Sequence, residues 1–289
     1  MTSASTESKA DIRRIARVVT GHPTSDGAGV KLTRLIGTEA LPDLDPFLML
    51  DAFGSAEPEA YIAGFPDHPH RGFETVTYML AGRLRHRDNK GHSGLLEAGS
   101  VQWMTAGRGI VHSEMPEQER GLMAGFQLWI NLPAKEKMTE PRYQDIAPGR
   151  IPIVTAPGGV SVKVIAGSFA GTAGPVAPAA TAPLFIDVML PQGTTFATTL
   201  PPAHNAFAYV YEGEVEIGPQ ARAKVLSPGR LGVLGPGEGF AARSAGPVAR
   251  LLLVAGRPLN EPVAKYGPFV MNTEAELHQA FADYRAGRL

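Results

Sequence analysis

Short apolar runs rich in β-branched residues recur along most of the chain, with Gly, Pro, Asp or Asn between them. Runs of this length bounded by turn residues are typical of strands rather than helices. The 33 glycines and 25 prolines are spread among the runs instead of being pooled in one segment. The pattern predicts an all-β protein built from barrels. The clearest predicted strands are Ala16–Thr20, Val30–Ile36, Thr75–Leu80, Ser100–Met104, Phe126–Leu132 and Ser161–Ala166.

A connector between Asn131 and Pro157 interrupts this rhythm, because it carries five prolines and several charges. Segments of this composition are typical of the boundary between two folded units. We therefore predict a disordered tail over residues 1–12, an N-terminal domain over 13–140 and a C-terminal domain over 141–289.

The C-terminal end has a different pattern from the rest of the chain. Thr273 and Glu276 are spaced as in a capping box, and Leu277, Phe281 and Tyr284 fall on one helical face. This predicts a short helix at the end of the second domain.

The two halves of the chain resemble each other when the second is shifted back by 130 or 131 residues. Several matched positions are glycines, whose left-handed backbone conformations other residues adopt poorly. Two copies of one β-domain explain the match; the alternative is chance similarity between glycine-punctuated sequences. The matched pairs are Tyr78 and Tyr209, Gly82 and Gly213, Leu84 and Val215, Gly99 and Gly229, Val101 and Leu231, Gly107 and Gly237, and Gly109 and Gly239.

Charge and composition exclude several functions. The net charge is −1 and charged residues make up 19% of the chain, so no broad positive field is expected to hold nucleic acid or an anionic membrane. The N-terminal MTSASTESKA is polar, and no apolar stretch approaches the roughly 18 residues of a membrane span. We expect a soluble cytoplasmic protein. Because the chain has no cysteine, any metal must be held by nitrogen and oxygen.

Two pairs of metal-ligating residues stand out. His68 and His70 are two apart, and His112 and Glu114 repeat that spacing directly after the glycine-rich turn TAGRG. Alternate residues of a strand share a face, so each pair can point at one centre. Glu74 follows His68 and His70 by an even number of positions, so it would share their strand face and is the alternative carboxylate. The four equivalent positions of the second half are Thr199, Pro201, Ala242 and Ser244, so we expect one metal site, in the N-terminal domain.

Three imidazoles and one carboxylate on an octahedral ion leave two positions for water, substrate or dioxygen. Mixed histidine and carboxylate ligation with vacant positions is the pattern of non-haem iron oxygen chemistry. Iron(II) is therefore the first candidate, and manganese, nickel, cobalt, copper and zinc are the alternatives. His204, the isolated histidine of the second half, is expected to be a surface or turn residue.

Four stretches carry a resemblance to a known family. They are FPDHPHRGFETVTYMLAG at Phe65–Gly82, TAGRGIVHSEMP at Thr105–Pro116, WINLPAKEKMTEPRYQ at Trp129–Gln144 and YGPFVMNT at Tyr266–Thr273. With them the chain resembles the pirin family of the cupin superfamily over nearly its full length. The resemblance implies two stacked cupin (jelly-roll) β-barrels, with a metal in the first held at His68, His70, His112 and Glu114.

The resemblance leaves the role of Glu74 open. In the general cupin pattern the carboxylate ligand comes from the first motif, where this chain has Glu74, whereas pirin-like proteins use the second motif, where it has Glu114. We rank Glu114 first and keep Glu74 as a neighbouring or alternative ligand. Thr105 is a further departure, because the second cupin motif usually has Pro there.

The resemblance also implies two alternative functions. One is a quercetin 2,3-dioxygenase that opens a small planar aromatic substrate with dioxygen, with Glu114 or Glu74 taking the substrate's proton. The other is a non-catalytic, metal-dependent regulator that contacts a protein partner, as a transcriptional cofactor or a regulator of metabolic enzymes. A catalyst needs an apolar pocket beside the metal. Candidates for its lining are Phe53, Met79, Trp103, Met104, Met115 and Phe126.

Overall fold

The structure is a computed structural model that describes residues 11–177 and 179–289. It is built almost entirely of β-strands and ends in one α-helix, as the sequence predicts. The predicted disordered tail, residues 1–12, lies outside the described residues except for Asp11 and Ile12. Ile12 forms an isolated bridge with Gly239, and the Asp11 carbonyl accepts hydrogen bonds from the amides of Glu238 and Gly239.

The strands of the first half and the connector are β1 (Ile15–Thr20), β2 (His22–Asp26), β3 (Val30–Ile36), β4 (Phe47–Ser55), β5 (Phe65–His70), β6 (Phe73–Ala81), β7 (Leu84–Asp88), β8 (Ser93–Leu96), β9 (Val101–Thr105), β10 (Ile110–Pro116), β11 (Met123–Asn131), β12 (Arg142–Ile146) and β13 (Ile153–Ala156). Those of the second half are β14 (Val160–Ala166), β15 (Ser168–Phe169), β16 (Thr172–Ala173), β17 (Leu184–Pro191), β18 (Thr195–Thr199), β19 (Asn205–Glu212), β20 (Val215–Ile217), β21 (Lys224–Leu226), β22 (Arg230–Leu234), β23 (Gly239–Ser244), β24 (Val248–Gly256), β25 (Ala264–Tyr266) and β26 (Phe269–Met271). Short 3-10 helices lie at Pro58–Ala60, Ala134–Glu136, Pro148–Arg150, Pro157–Gly159 and Gln220–Arg222, and the α-helix, α1, is Glu274–Arg285.

Each half forms a barrel from one seven-stranded and one four-stranded antiparallel sheet. In the first barrel the sheet orders are β12-β9-β6-β11-β4-β3-β2 and β5-β10-β7-β8. In the second they are β1-β22-β19-β24-β17-β14-β13 and β18-β23-β20-β21. The two orders match strand for strand, as expected for two copies of one domain.

One edge strand of each seven-stranded sheet comes from the other side of the predicted boundary at residue 140. β1 pairs along β22 of the second barrel, although it comes first in the chain. β12 lies within the proline-rich connector and pairs with β9 of the first barrel. The domain boundary at residue 140 therefore stays a prediction. β1 precedes this boundary but pairs with a strand of the second barrel, and β12 follows it but pairs with a strand of the first.

The largest apolar core lies between the barrels, where the faces of the two seven-stranded sheets meet. It includes Val76, Trp103 and Leu128 from the first half and Phe207 and Val254 from the second. A second core fills the interior of the second barrel. The interior of the first barrel also holds polar side chains, and the candidate site lies there.

The C-terminal segment packs on the first barrel rather than the second. Nζ of buried Lys137 donates hydrogen bonds to the carbonyls of Gly72 and Val270, which ties the β25–β26 hairpin to the turn after β5. The capping box at Thr273 is present at the start of α1, and Leu277 is buried. No helix in the described part of the chain is long and apolar enough to cross a membrane.

Candidate metal centre

Three histidines converge inside the first barrel because β5 and β10 are neighbouring antiparallel strands. His112 of β10 lies directly opposite His68 of β5, and His70 lies opposite Ile110. Alternation along each strand then places the three imidazoles on the same face. His70 and His112 are buried, whereas His68 is partly exposed.

The three rings are in mutual contact. Ring centroids are 4.7 Å apart for His68 and His70, 4.4 Å for His68 and His112, and 5.1 Å for His70 and His112. One nitrogen from each ring lies within 4.8 Å of one nitrogen of both others. Among the residues that the structure describes, this is the one group of three or more donor side chains that meets this spacing.

The protonation state of the cluster suits metal binding. Burial lowers the pKa of His70 and of His112 well below the usual histidine value, and their neighbouring imidazoles lower both further. These rings are therefore neutral near pH 7, as a metal ligand must be. Nδ1 of His70 and both ring nitrogens of His112 are buried without a hydrogen-bond partner. Unpartnered buried nitrogens facing one another fit a site for a metal ion.

The backbone orients the His68 ring. Nδ1 of His68 lies 2.8 Å from the carbonyl oxygen of Pro66. A carbonyl only accepts, so Nδ1 carries the proton and Nε2 keeps the free lone pair, a common arrangement for ligating histidines. The carbonyl of Pro66 thus supplies the orienting hydrogen bond to His68. His70 and Pro268 of the β25–β26 turn line the same cavity.

Glu114 is buried on the same side of β10 as His112, but it is not one of the three side chains within 4.8 Å of one another. Its Oε1 accepts a hydrogen bond of 3.0 Å from the Thr77 hydroxyl, and its Oε2 accepts one of 3.0 Å from the Gln127 amide. Thr77 and Gln127 are themselves cross-strand partners in β6 and β11. Two strands thus fix the carboxylate on the face of β10 that also carries His112.

Glu74 lies on the opposite face of β6 from Thr77. The left-handed Gly72, with φ of +89°, separates β5 from β6 and breaks the parity that the sequence suggested between His70 and Glu74. The Glu74 carboxylate accepts a 2.7 Å hydrogen bond from Thr105, and burial raises its pKa. It borders a separate cavity of about 230 Å³. The structure therefore brings Glu114, but not Glu74, to the interior that holds the histidines.

A cavity of about 760 Å³ opens onto the histidine cluster. Of the six apolar residues that the sequence offered for its lining, only Phe53 is among the lining residues. Met79, Trp103, Met104 and Phe126 are buried in apolar cores, and Met115 is 37% exposed. The lining residues are Asp26, Gly27, Ala28, Leu32, Arg34, Gly37, Met49, Asp51, Phe53, Phe65, Pro66, Asp67, His68, His70, Gln127, Trp129, Lys265, Tyr266, Gly267 and Pro268.

Comparison with known proteins identifies the family. A family model described as pirin matches residues 29–130, and one described as the pirin C-terminal cupin domain matches residues 185–289. A pirin-like protein from Caulobacter vibrioides is 52% identical over 279 residues, which are 96% of this chain and 99% of that protein. The chain belongs to the pirin family.

Two further relatives carry an enzymatic name. A Pseudomonas aeruginosa protein, named provisionally as a quercetin 2,3-dioxygenase, is 51% identical over 282 residues, 96% of this chain and 98% of its own. A crystal structure of quercetin 2,3-dioxygenase from Acinetobacter baumannii has a TM-score of 0.88 and 33% identity to this pirin-family chain, covering 96% of it and 98% of the other.

Among the described residues of this pirin-family protein, the second barrel has no counterpart to the histidine cluster. Phe196 of β18 lies opposite Ala242 of β23, the pairing that corresponds to His68 opposite His112 in the first barrel. Phe196, Ala242 and the neighbouring Phe240 belong to the apolar core of that barrel. The observed register places Phe196 at this position, rather than Thr199 as the sequence repeat suggested, and neither residue is a nitrogen ligand.

A charged group at the cavity wall was not found by sequence reasoning. Arg34 of β3 donates two hydrogen bonds to the Asp51 carboxylate, at 2.8 and 2.6 Å, and one of 2.8 Å to Asp26. The partnership with Asp51 raises the pKa of the Arg34 guanidinium. The available signal was a charged residue on the same strand face as the apolar Val30 and Leu32. That signal does not predict that Arg34 pairs with the carboxylate of Asp51 in the neighbouring strand β4.

Proposed function

We propose that this protein is a metal-dependent dioxygenase of the quercetin 2,3-dioxygenase type that acts on a small planar aromatic substrate. The observation that carries the proposal is the position of the three imidazoles, two of which line a cavity of about 760 Å³. Pockets that bind ligands of drug-like size measure about 300–1,000 Å³. The family relationship to proteins named for this activity supports the same function.

We propose iron(II), held by His68, His70, His112 and Glu114, as the metal of this site. Three imidazoles with one carboxylate make a donor set that accepts iron and leaves positions for other ligands. When bound, the metal would act as a Lewis acid on an enolic hydroxyl and supply the redox chemistry with dioxygen.

The chain's own residues would orient the substrate and move its proton. Phe53 and Trp129 offer apolar surface at the cavity wall, and the Arg34–Asp51 pair offers polar partners for further hydroxyl groups. Glu114 is the carboxylate placed to accept the enolic proton, since Glu74 lies on the other face of β6. Thr77 and Gln127 donate hydrogen bonds to the two Glu114 oxygens and hold the carboxylate in place.

Oxygen consumption tests the proposal directly. Protein loaded with iron(II), its metal content measured, is mixed with quercetin in an oxygen electrode, and the aromatic product is followed by its absorbance. We expect uptake that depends on both iron and quercetin and that is lost in His112→Ala. Absence of uptake from protein shown to contain bound iron would contradict a quercetin dioxygenase function.

Regulation through protein contact is the second candidate, and one observation favours it. The β25–β26 turn lines the same cavity as His70, and Tyr266, at the end of β25, is 72% exposed. A metal that fixes His70 would therefore act on a turn that presents an exposed aromatic side chain. This function predicts that adding metal changes the protection of residues 264–268 from hydrogen exchange even in protein without oxygenase activity. Equal protection with and without metal would contradict it.

A further inference from the structure

Trp129 lies between the cavity and the metal centre. It is one of two tryptophans in the chain, and its ring lines the cavity. The indole ring packs edge to face against His70, with ring centroids 5.2 Å apart. It lies at a tilt of 35° to the Phe73 ring, with centroids 4.3 Å apart. One side chain thus contacts both the space available to a substrate and a histidine of the cluster.

A chain of hydrogen bonds joins Trp129 to Glu114. The indole Nε1 donates to Oε1 of Gln127 at 3.1 Å, and Nε2 of Gln127 donates to Oε2 of Glu114 at 3.0 Å. Gln127 and Trp129 are two apart in β11, so both side chains point into the first barrel.

The indole of Trp129 and the carboxylate of Glu114 together fix the orientation of the Gln127 amide that lies between them. An indole N–H only donates, so the Gln127 carbonyl oxygen must face Trp129. The amide N–H₂ is then directed at Glu114, whose Oε2 accepts its hydrogen bond. If the indole N–H were removed, the amide could rotate and present its oxygen to the carboxylate, a repulsive arrangement.

We infer that Trp129 is a positioning residue of the metal centre, and that it couples occupancy of the cavity to the Glu114 carboxylate through the amide of Gln127. The inference rests on the proposed function, since it takes Glu114 as a ligand of the metal. A planar aromatic molecule packed against the indole fixes the direction of its N–H, and that direction sets how the amide holds the carboxylate. Partners that hold ligating groups in this way commonly change metal affinity by about 10–100-fold.

Cobalt(II) binding tests the positioning role without requiring turnover. Gln127→Leu keeps a side chain of similar size and removes both hydrogen bonds, so we expect cobalt affinity to fall about 10–100-fold. Trp129→Phe keeps an aromatic ring and removes only the N–H, so we expect a loss of about fivefold, the effect of one hydrogen bond. Both variants should change the visible spectrum of bound cobalt. Trp103→Phe, in the core between the barrels, is the matched control and should change neither.

Flavone, a planar aromatic without hydroxyl groups, tests the coupling to the cavity. Its addition should shift the spectrum of bound cobalt in the natural protein and in Trp103→Phe, and should shift it much less in Gln127→Leu. An equal shift in Gln127→Leu, or no shift in the natural protein, would overturn the coupling.

A failure of this inference can be told apart from a failure of the proposed metal site by a third variant. Loss of cobalt binding in His112→Ala, together with unchanged affinity and spectrum in Gln127→Leu and Trp129→Phe, overturns the role of Trp129 alone. Retained binding in His112→Ala overturns the metal site itself. Thermal unfolding of the metal-free variants checks that each is folded, and Gln127→Leu keeps the test decisive if Trp129→Phe does not fold.

Discussion

His68 and His112 face each other across two antiparallel strands, with their ring centroids 4.4 Å apart. Their neighbour His70 has a buried Nδ1 without a partner, and neither ring nitrogen of His112 has one. An unsatisfied buried polar group costs about 1–3 kcal/mol of stability. A metal ion shared by the three rings would offset this cost, because each ring would donate a lone pair to it.

Replacing His112 tests whether the cluster holds the metal. His112→Ala removes one of three convergent nitrogens, so we expect iron content per chain, measured by mass spectrometry after dialysis, to fall at least about tenfold. His204→Ala is the matched control, because His204 lies in a turn that follows β18 of the second barrel. Similar losses of iron in the two variants would contradict a single site in the first barrel.

The two candidate carboxylates can be separated by matched substitutions. Glu114→Gln should lower iron affinity about 10–100-fold, because Glu114 lies beside the cluster and is held by Thr77 and Gln127. Glu74→Gln should leave iron affinity within about twofold, because Glu74 hydrogen-bonds Thr105 on the other face of β6. Calorimetric titration with iron(II) under nitrogen measures both. A larger loss in Glu74→Gln would reverse the assignment.

Much of the histidine cluster was predictable, because it depends on short-range rules. His68 and His70 fall on one face of β5 by simple alternation, and the TAGRG turn places His112 at the start of the next inward-facing strand. The all-β class and the capped terminal helix also follow from local patterns, and both are confirmed.

The remaining features depend on contacts between distant parts of the chain. The sequence pattern grouped Glu74 with the histidines because the alternation of strand faces was assumed to continue through Gly72. The backbone turns at Gly72, so the alternation is broken there. The hydrogen bonds to Glu114 depend on the register of β6 against β11, and no local pattern contains that register. No local pattern predicts the pairing of β1 with the second barrel either, because an amphipathic strand can add to any open sheet edge.

A buried carboxylate stabilises the contact between the barrels. Asp187 accepts a 2.6 Å hydrogen bond from the Tyr78 hydroxyl and one of 2.5 Å from Tyr211. Tyr78→Phe removes a hydrogen bond to a charged group, so the free energy of unfolding should fall by about 1.5–3 kcal/mol. Tyr209→Phe is the control, because its ring packs in the same core and burial alone raises its pKa, to about 12. Urea unfolding compares the two, and equal losses would contradict the role of Asp187.

Docking of the terminal helix should depend on pH. Hydrogen bonds from Arg71, Arg288 and Gln279 hold the pKa of Asp283 well below its usual value. Because the folded pKa is the lower one, this contact stabilises the fold above about pH 4, the pKa of an unperturbed Asp, and the stabilisation is lost as pH falls further. Asp283→Asn should therefore be less stable than the natural protein at pH 7, and the difference should shrink below pH 4.

Urea unfolding of both proteins across this pH range measures the effect. Glu140→Gln, which removes the exposed ion pair of Arg108 and Glu140, serves as the control and should change the unfolding free energy by less than about 1 kcal/mol at any pH. A stability difference for Asp283→Asn that stays constant down to pH 3 would contradict the linkage.

The position of a bound metal tests the account most directly. Crystals of iron-loaded protein, measured on both sides of the iron absorption edge, give an anomalous difference map that locates the ion independently of the protein coordinates. We expect one peak per chain, among the rings of His68, His70 and His112. A peak in the second barrel, or iron bound elsewhere in the first with these three rings free, would contradict the proposed metal centre.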